Sequence, residues 1–234
     1  MDAGNNGKVT MMDEREVRLG QLNEEVRACP KCPLARTRTK AVPGEGPIDA
    51  EIMFVGEGPG FHEDRQGQPF VGQAGHFLEE LLASIDLRRD QVFITNVVKC
   101  RPPENRDPAP MEIAACAPYL DRQLELLSAR LVVTLGRHSM ARYFPGQSIS
   151  RIHGQPKPEG HRIILPLFHP AAGLRSPAVA EQTRQDVLRI PALLDQIRAA
   201  EAHAPGSSSS SHGAETPGAR SEGEDGEPQQ LTLF

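Results

Sequence analysis

Ile52-Met53-Phe54-Val55-Gly56-Glu57-Gly58-Pro59-Gly60 is the stretch that decides the architecture. Its apolar run reads as a short buried strand, and the glycines and proline that follow turn the chain at once into a loop. The pattern recurs. Val92-Phe93-Ile94-Thr95-Asn96-Val97-Val98 is a second strand, Leu131-Val132-Val133-Thr134-Leu135 a third, and Arg162 to Phe168 a fourth. Helices are predicted over Glu14 to Val26, Gly75 to Ile85, Met111 to Ser128 and about Ala178 to Ala200, the first from the helical spacing of Val17, Leu19, Leu22 and Val26. This alternation predicts an α/β fold of three layers, α/β/α, around a mostly parallel four-stranded sheet. Ligands of such sheets bind beyond the carboxyl ends of the strands, here Glu57-Gly58-Pro59-Gly60, Asn96, Gly136 and His169-Pro170.

Outward from that sheet, residues 14–200 form one domain, preceded by a disordered segment 1–13 and followed by a disordered acidic linker over 201–228 with the run Ser207 to Ser211. From residue 201 onward six acidic residues face Arg220, so the net charge of −5 resides in that tail and the first 200 residues are near neutral. Any polyanion must therefore meet a local basic face. No charged-then-apolar leader opens the chain and no apolar run of about 18 residues occurs, so a cytoplasmic location without membrane contact is expected.

Four cysteines stand as Cys29-Pro30-Lys31-Cys32, then Cys100, then Cys116. Disulfides rarely persist in the cytosol. The C-x2-C pair places two sulfurs on one metal, with the distant pair closing the site from the middle of the chain. Zinc ribbons usually repeat a second C-x2-C. The wide second pair favours an iron-sulfur cluster, with zinc and plain structural cysteines as the alternatives.

At the strand ends, Asn96 offers a donor and an acceptor together, the complement of a pyrimidine edge with adjacent N3-H and O4. Taken alone, Asn96 reads as a loop tie and a histidine before proline as structural. Their convergence with Gly56, Gly58 and Gly60, whose missing side chains let a planar ligand approach the backbone, points to a binding crevice.

These residues resemble the uracil-DNA glycosylases, in particular the iron-sulfur-containing family 4. Gly56-Glu57-Gly58-Pro59-Gly60 with Glu63-Asp64 looks like the first motif, and Gly67-Gln68-Pro69-Phe70-Val71-Gly72-Gln73-Ala74-Gly75 is close to the signature. Thr95 to Pro103 matches the next block and Leu165-Pro166-Leu167-Phe168-His169-Pro170 the last, over roughly Leu22 to Leu194 in all. The resemblance implies a uracil-DNA glycosylase that flips uracil out of DNA and hydrolyses the N-glycosidic bond to start base excision repair. It also implies a 4Fe-4S cluster on Cys29, Cys32, Cys100 and Cys116. Glu57, Gly58 and Pro59 would line the uracil pocket, Phe70 stack on the base, Asn96 read its edge and His169 donate to uracil O2.

Well-known relatives supply an aspartate to position water where Gly58 stands here. The water then falls to Glu57 or Glu63, although Glu63 and Asp64 read equally as loop-ordering residues. Leu174 and Arg175, in the loop after His169, would wedge into the minor groove and meet a phosphate. The insertion by which one family variant traps the sugar covalently is missing after Asn96, so turnover is expected. Gln230-Leu231-Thr232-Leu233-Phe234 matches the peptide with which bacterial repair proteins hold the sliding clamp, through Gln230, Leu231, Leu233 and Phe234. The expected partners are thus uracil-containing DNA and that clamp, for a monomeric, nucleoid-associated protein. The rival reading is a non-catalytic iron-sulfur DNA-binding adaptor, which needs no intact base pocket.

Overall fold

Met53 and Val55 pack into one apolar core and Ile52 and Phe54 into another, so the strand quoted above is covered on both faces. The structure, a computed structural model, describes residues 6–202, with side chains from residue 14. Of the linker expected over 201–228, residues 201 and 202 are the end of a helix; the rest of it and the clamp-peptide residues Gln230, Leu231, Leu233 and Phe234 lie outside the described residues.

The elements in chain order are α1 (Asn6–Ala28), β1 (Ile52–Gly56), α2 (Phe61–Gln66), α3 (Gln73–Ala83), β2 (Phe93–Asn96), α4 (Pro110–Leu126) and β3 (Leu131–Leu135). There follow α5 (Arg137–Met140), α6 (Ile149–Ile152), β4 (Lys157–Glu159), β5 (Arg162–Leu167), α7 (Pro170–Gly173), α8 (Pro177–Val187) and α9 (Ile190–Ala202). Helix α1 begins ahead of the Glu14 expected from its apolar spacing.

The sheet runs β2-β1-β3-β5-β4, its first four strands parallel and β4 antiparallel to β5. It therefore has five strands where four were expected. The added strand is a three-residue edge, Lys157-Pro158-Glu159, without apolar alternation. Proline is tolerated there because an edge strand keeps one unpaired face. The helix expected from Ala178 to Ala200 is two helices, since Pro191 lacks an N–H and its ring clashes with the carbonyl four residues back.

Leu22, Val26, Leu120 and Leu124 bring α1 and α4 to one face of the sheet. Leu78, Leu81, Val187, Leu193 and Leu194 bring α3, α8 and α9 to the other. Each fully buried Leu or Phe contributes about 1.5 to 3 kcal/mol toward holding these layers. From β2 the chain returns past β1 to form β3 on its other side, so the strand order reverses at β1 and a crevice opens at the carboxyl ends.

Candidate active site

That crevice is a cleft of about 600 Å³. Glu57, Gly58, Pro59 and Gly60 line it from the end of β1, Asn96 from β2, Gly136 and Arg137 from β3, and Phe168 and His169 from β5. Phe70 joins them from the connection between α2 and α3, with Glu63 and Arg175 nearby on the wall. All the residues expected to contact a base therefore meet in one place. Leu174 does not line the cleft; it lies one residue from Arg175 and is 50% exposed.

Phe70 is buried and has a φ of 52°, a left-handed conformation that a bulky side chain adopts only when its surroundings impose it. Arg89 is part of what imposes it. Its guanidinium donates to the carbonyls of Pro69 and Phe70, the latter at 2.8 Å, and is paired with Glu45 at 2.7 Å. The Phe70 ring stacks on the His169 imidazole with centroids 5.7 Å apart and planes at 28°. Gly56 leaves the space both base-facing groups need: a Cβ there runs into Asn96 Oδ1 and comes within 2.7 Å of the Phe70 ring.

Asn96 is buried, yet its Oδ1 has no hydrogen-bond partner among the described residues. A buried polar atom without a partner is costly, so an orphan facing a cleft marks a group awaiting a ligand. The main chain of the same residue is firmly held. Lys99 is fully buried, and its ammonium donates to the Asn96 carbonyl at 2.8 Å, Thr95 Oγ1 at 2.6 Å and Gln123 Oε1 at 2.6 Å. Burial pushes the Lys99 pKa down to about 8.

His169 accepts a hydrogen bond at Nδ1 from the Ala171 N–H over 3.2 Å. Burial first, and then the nearby Arg175 charge, lower its pKa to about 4. The ring is therefore neutral near pH 7 and carries its proton on Nε2, a donor that costs no protonation step.

The two candidate carboxylates differ. Glu63 accepts from Val71 and Gly72 N–H at 2.9 and 2.8 Å with one oxygen and from Gly60 N–H at 3.1 Å with the other, tying the two sides of the loop. Asp64 likewise accepts from Thr39 N–H at 2.9 Å. Among the described residues the Glu57 carboxylate accepts no such main-chain bond; it lies 3.8 Å from His138 Nε2. Burial raises its pKa, His138 opposes that rise, and Asp107 adds to it. Ligand atoms of Glu57, Asp107 and His138 all lie within 4.8 Å of one another. At Gly58 a Cβ would come within 2.7 Å of Val98 Cγ2, so a side chain there is excluded by the β2 exit.

The four cysteines surround one small void with Val26, Leu34 and Tyr119, on the α1 and α4 side of the sheet. Burial raises the thiol pKa of Cys100 and pushes that of Cys116 up to about 11, while Arg38 donates to Cys100 Sγ at 3.1 Å and the Lys99 N–H to Cys116 Sγ at 3.3 Å. Buried thiols with donors aimed at sulfur suit thiolates held by a metal. A single tetrahedral zinc with bonds of about 2.3 Å draws its sulfurs to roughly 3.8 Å apart. Among the described residues no three of these sulfurs lie within 4.8 Å of one another, a spread that suits a larger group.

Lys99, Arg89, His138 and Asp107 escaped the sequence reading. Only for Lys99 was a signal present, a lone charge between Val98 and Cys100 in an apolar strand exit.

Residues 43–190 match the model of the uracil DNA glycosylase superfamily. Among curated proteins the chain is 49% identical over 182 residues to a type-4 uracil-DNA glycosylase of Sulfurisphaera tokodaii, covering 74% of this chain and 83% of that one. It is 45% identical to type-4 uracil-DNA glycosylases of Archaeoglobus fulgidus, over 74% of this chain and 91% of the relative, and of Thermotoga maritima, over 70% and 88%. With a family model matched across the sheet and cleft, and relatives this similar over most of their length, the chain belongs to the uracil DNA glycosylase superfamily, among its type-4 members.

Proposed function

We propose that the cleft accepts a uracil flipped out of DNA and hydrolyses its N-glycosidic bond, leaving an abasic site for base excision repair. The observation that carries this is the meeting of Phe70, the unpartnered Asn96 Oδ1 and the neutral His169 in one cleft. An enzyme acting on a glycosidic bond must take the base out of the stack, hold its face and read its edge. Phe70 supplies the face and Asn96 the edge. Cytosine presents a donor where uracil has O4, leaving an unsatisfied group worth about 1 to 3 kcal/mol of discrimination.

As the bond from N1 to C1′ breaks, negative charge gathers on uracil O2. His169 Nε2–H meets it as a preorganised donor worth about 3 kcal/mol. Glu57 holds the attacking water, because the oxygens of Glu63 are already engaged by three main-chain N–H groups. Main-chain groups of Glu57 and Gly58, with Pro59, complete the uracil wall, and Arg175 takes a phosphate beside the Leu174 wedge.

Cys29, Cys32, Cys100 and Cys116 hold a 4Fe-4S cluster, supported by the four-thiol donor set and the spread of its sulfurs. Such a group supplies cross-linking between distant segments; the chain's own part is to join the end of α1 to α4 and to the exit of β2. The tail peptide recruits the enzyme to a bacterial sliding clamp. Removing Gln230 to Phe234 should leave excision on short oligonucleotides unchanged and abolish clamp binding. No helix among the described residues is long and apolar enough to cross a membrane.

The test is excision from a uracil-containing oligonucleotide beside a hypoxanthine substrate. Uracil release by the wild-type chain, with a single-turnover rate lowered about a hundredfold or more in His169→Ala and DNA binding largely kept, supports the reading. DNA binding without any base release would make the chain an adaptor.

A further inference from the structure

Phe61 is 48% exposed and follows directly on Gly60, the last residue of the β1 loop that lines the cleft. Arg65 and Arg101 place their guanidinium carbons 5.6 and 5.3 Å from its ring centroid, and His62 meets the ring edge-on at 5.4 Å. Neither arginine forms an ion pair with a carboxylate among the described residues, in contrast to Arg137 and Arg106 on the wall of the cleft. Arg101 Nε donates at 2.8 Å to Asn105, itself a cleft residue, so the patch is continuous with the base pocket.

On a domain of near-neutral charge, an exposed ring beside two unneutralised guanidiniums is an attractive site for an anion that carries a flat apolar face. A nucleotide has both. In a duplex the neighbours of a flipped base stay paired and held in the helix, whereas in a single strand they are free to turn a face toward the protein. We propose that Phe61, Arg65 and Arg101 form a ledge that stacks an unpaired base beside the flipped uridine and takes the adjoining phosphates. This rests on the uracil-excision reading above.

The test uses single-stranded oligonucleotides with 2-aminopurine on either side of 2′-fluoro-2′-deoxyuridine, whose fluorine slows glycosidic cleavage, and the matching duplexes. Stacking by the wild-type chain should change the 2-aminopurine fluorescence on one side of the uridine. Phe61→Leu, which keeps an apolar side chain of similar size, should lose that change and bind single strands about fivefold or more weakly. Phe61→Tyr should restore both, and duplex binding should change less. Arg65→Gln and Arg101→Gln should each flatten the salt dependence of binding by about one unit of slope.

Unchanged affinity and fluorescence in Phe61→Leu overturns the ledge, as does an equal loss on single and double strands. Excision of unmodified uracil by the wild-type chain is run in parallel. Its absence sinks the functional reading, while the fluorescence and affinity arms still decide the ledge.

Discussion

Lys99 Nζ lies 2.8 Å from the main-chain carbonyl oxygen of Asn96, and the backbone N–H of the same lysine lies 3.3 Å from Cys116 Sγ. One buried residue thus touches both the strand end that carries the candidate base reader and a candidate metal ligand. The cysteine site and the cleft are linked through it.

Lys99→Met keeps most of the volume and removes the ammonium that satisfies Thr95, Gln123 and the Asn96 carbonyl. Each buried acceptor left unpaired costs about 1 to 3 kcal/mol, so the thermal midpoint should fall. Single-turnover uracil excision should also slow at temperatures where the variant is fully folded. A variant that melts early yet cleaves at the wild-type rate would make Lys99 a core residue with no influence on Asn96.

Gly56→Ala puts a methyl group against Asn96 and the Phe70 ring, two groups the family reading sets on opposite duties. We expect excision to fall at least tenfold while circular dichroism and the cysteine site stay unchanged, because the clash is confined to the cleft floor. The readout is kcat/KM on a uracil oligonucleotide beside a thermal melt.

The pKa of Glu57 is raised by burial, held back by His138 and raised further by Asp107. If its carboxylate orients the water, activity is present above that pKa and lost as pH falls through it, so the acid limb should lie above the usual carboxylate range. Asp107→Asn removes a charge that raises the pKa and should move the limb to lower pH. His138→Gln removes one that lowers it and should move the limb upward. Profiles of kcat/KM that do not move in opposite directions would take the limb away from Glu57.

The purified chain should be brown and contain iron, with little zinc by elemental analysis. Cys100→Ser should lose colour and much of its solubility together, because the site joins the end of α1 to α4 across more than eighty residues of sequence. A colourless wild-type protein with one zinc per chain would replace the cluster by a zinc site.

What could be read from the chain followed from local signals. Ile52 to Val55 is an unbroken apolar run and Leu131 to Leu135 one broken only by Thr134, and both are strands at the positions they predict. Lys157-Pro158-Glu159 carries no such signal and is a strand only because β5 lies beside it. The break before α9 has a local signal in Pro191, which the expectation of one helix from Ala178 to Ala200 did not use. At the cleft, residues that close a strand were legible because strand ends converge in any parallel sheet. Residues acting from a distance were not: Arg89 grips a carbonyl 19 residues away, and Lys99 is buried through Gln123, 24 residues further along.

The short fifth strand also closes a door. A sheet ending in β5 would present a six-residue parallel strand with free donors and acceptors, the template on which foreign strands add and aggregates grow. Lys157 and Pro158 cap that side with a charge and a residue that cannot donate. On the opposite side Glu45 bridges Ile94 in both directions, at 2.8 and 3.0 Å, so β2 is shielded as well. With both margins blunted, crowding many copies together gives the sheet no means of lengthening itself at a neighbour's expense.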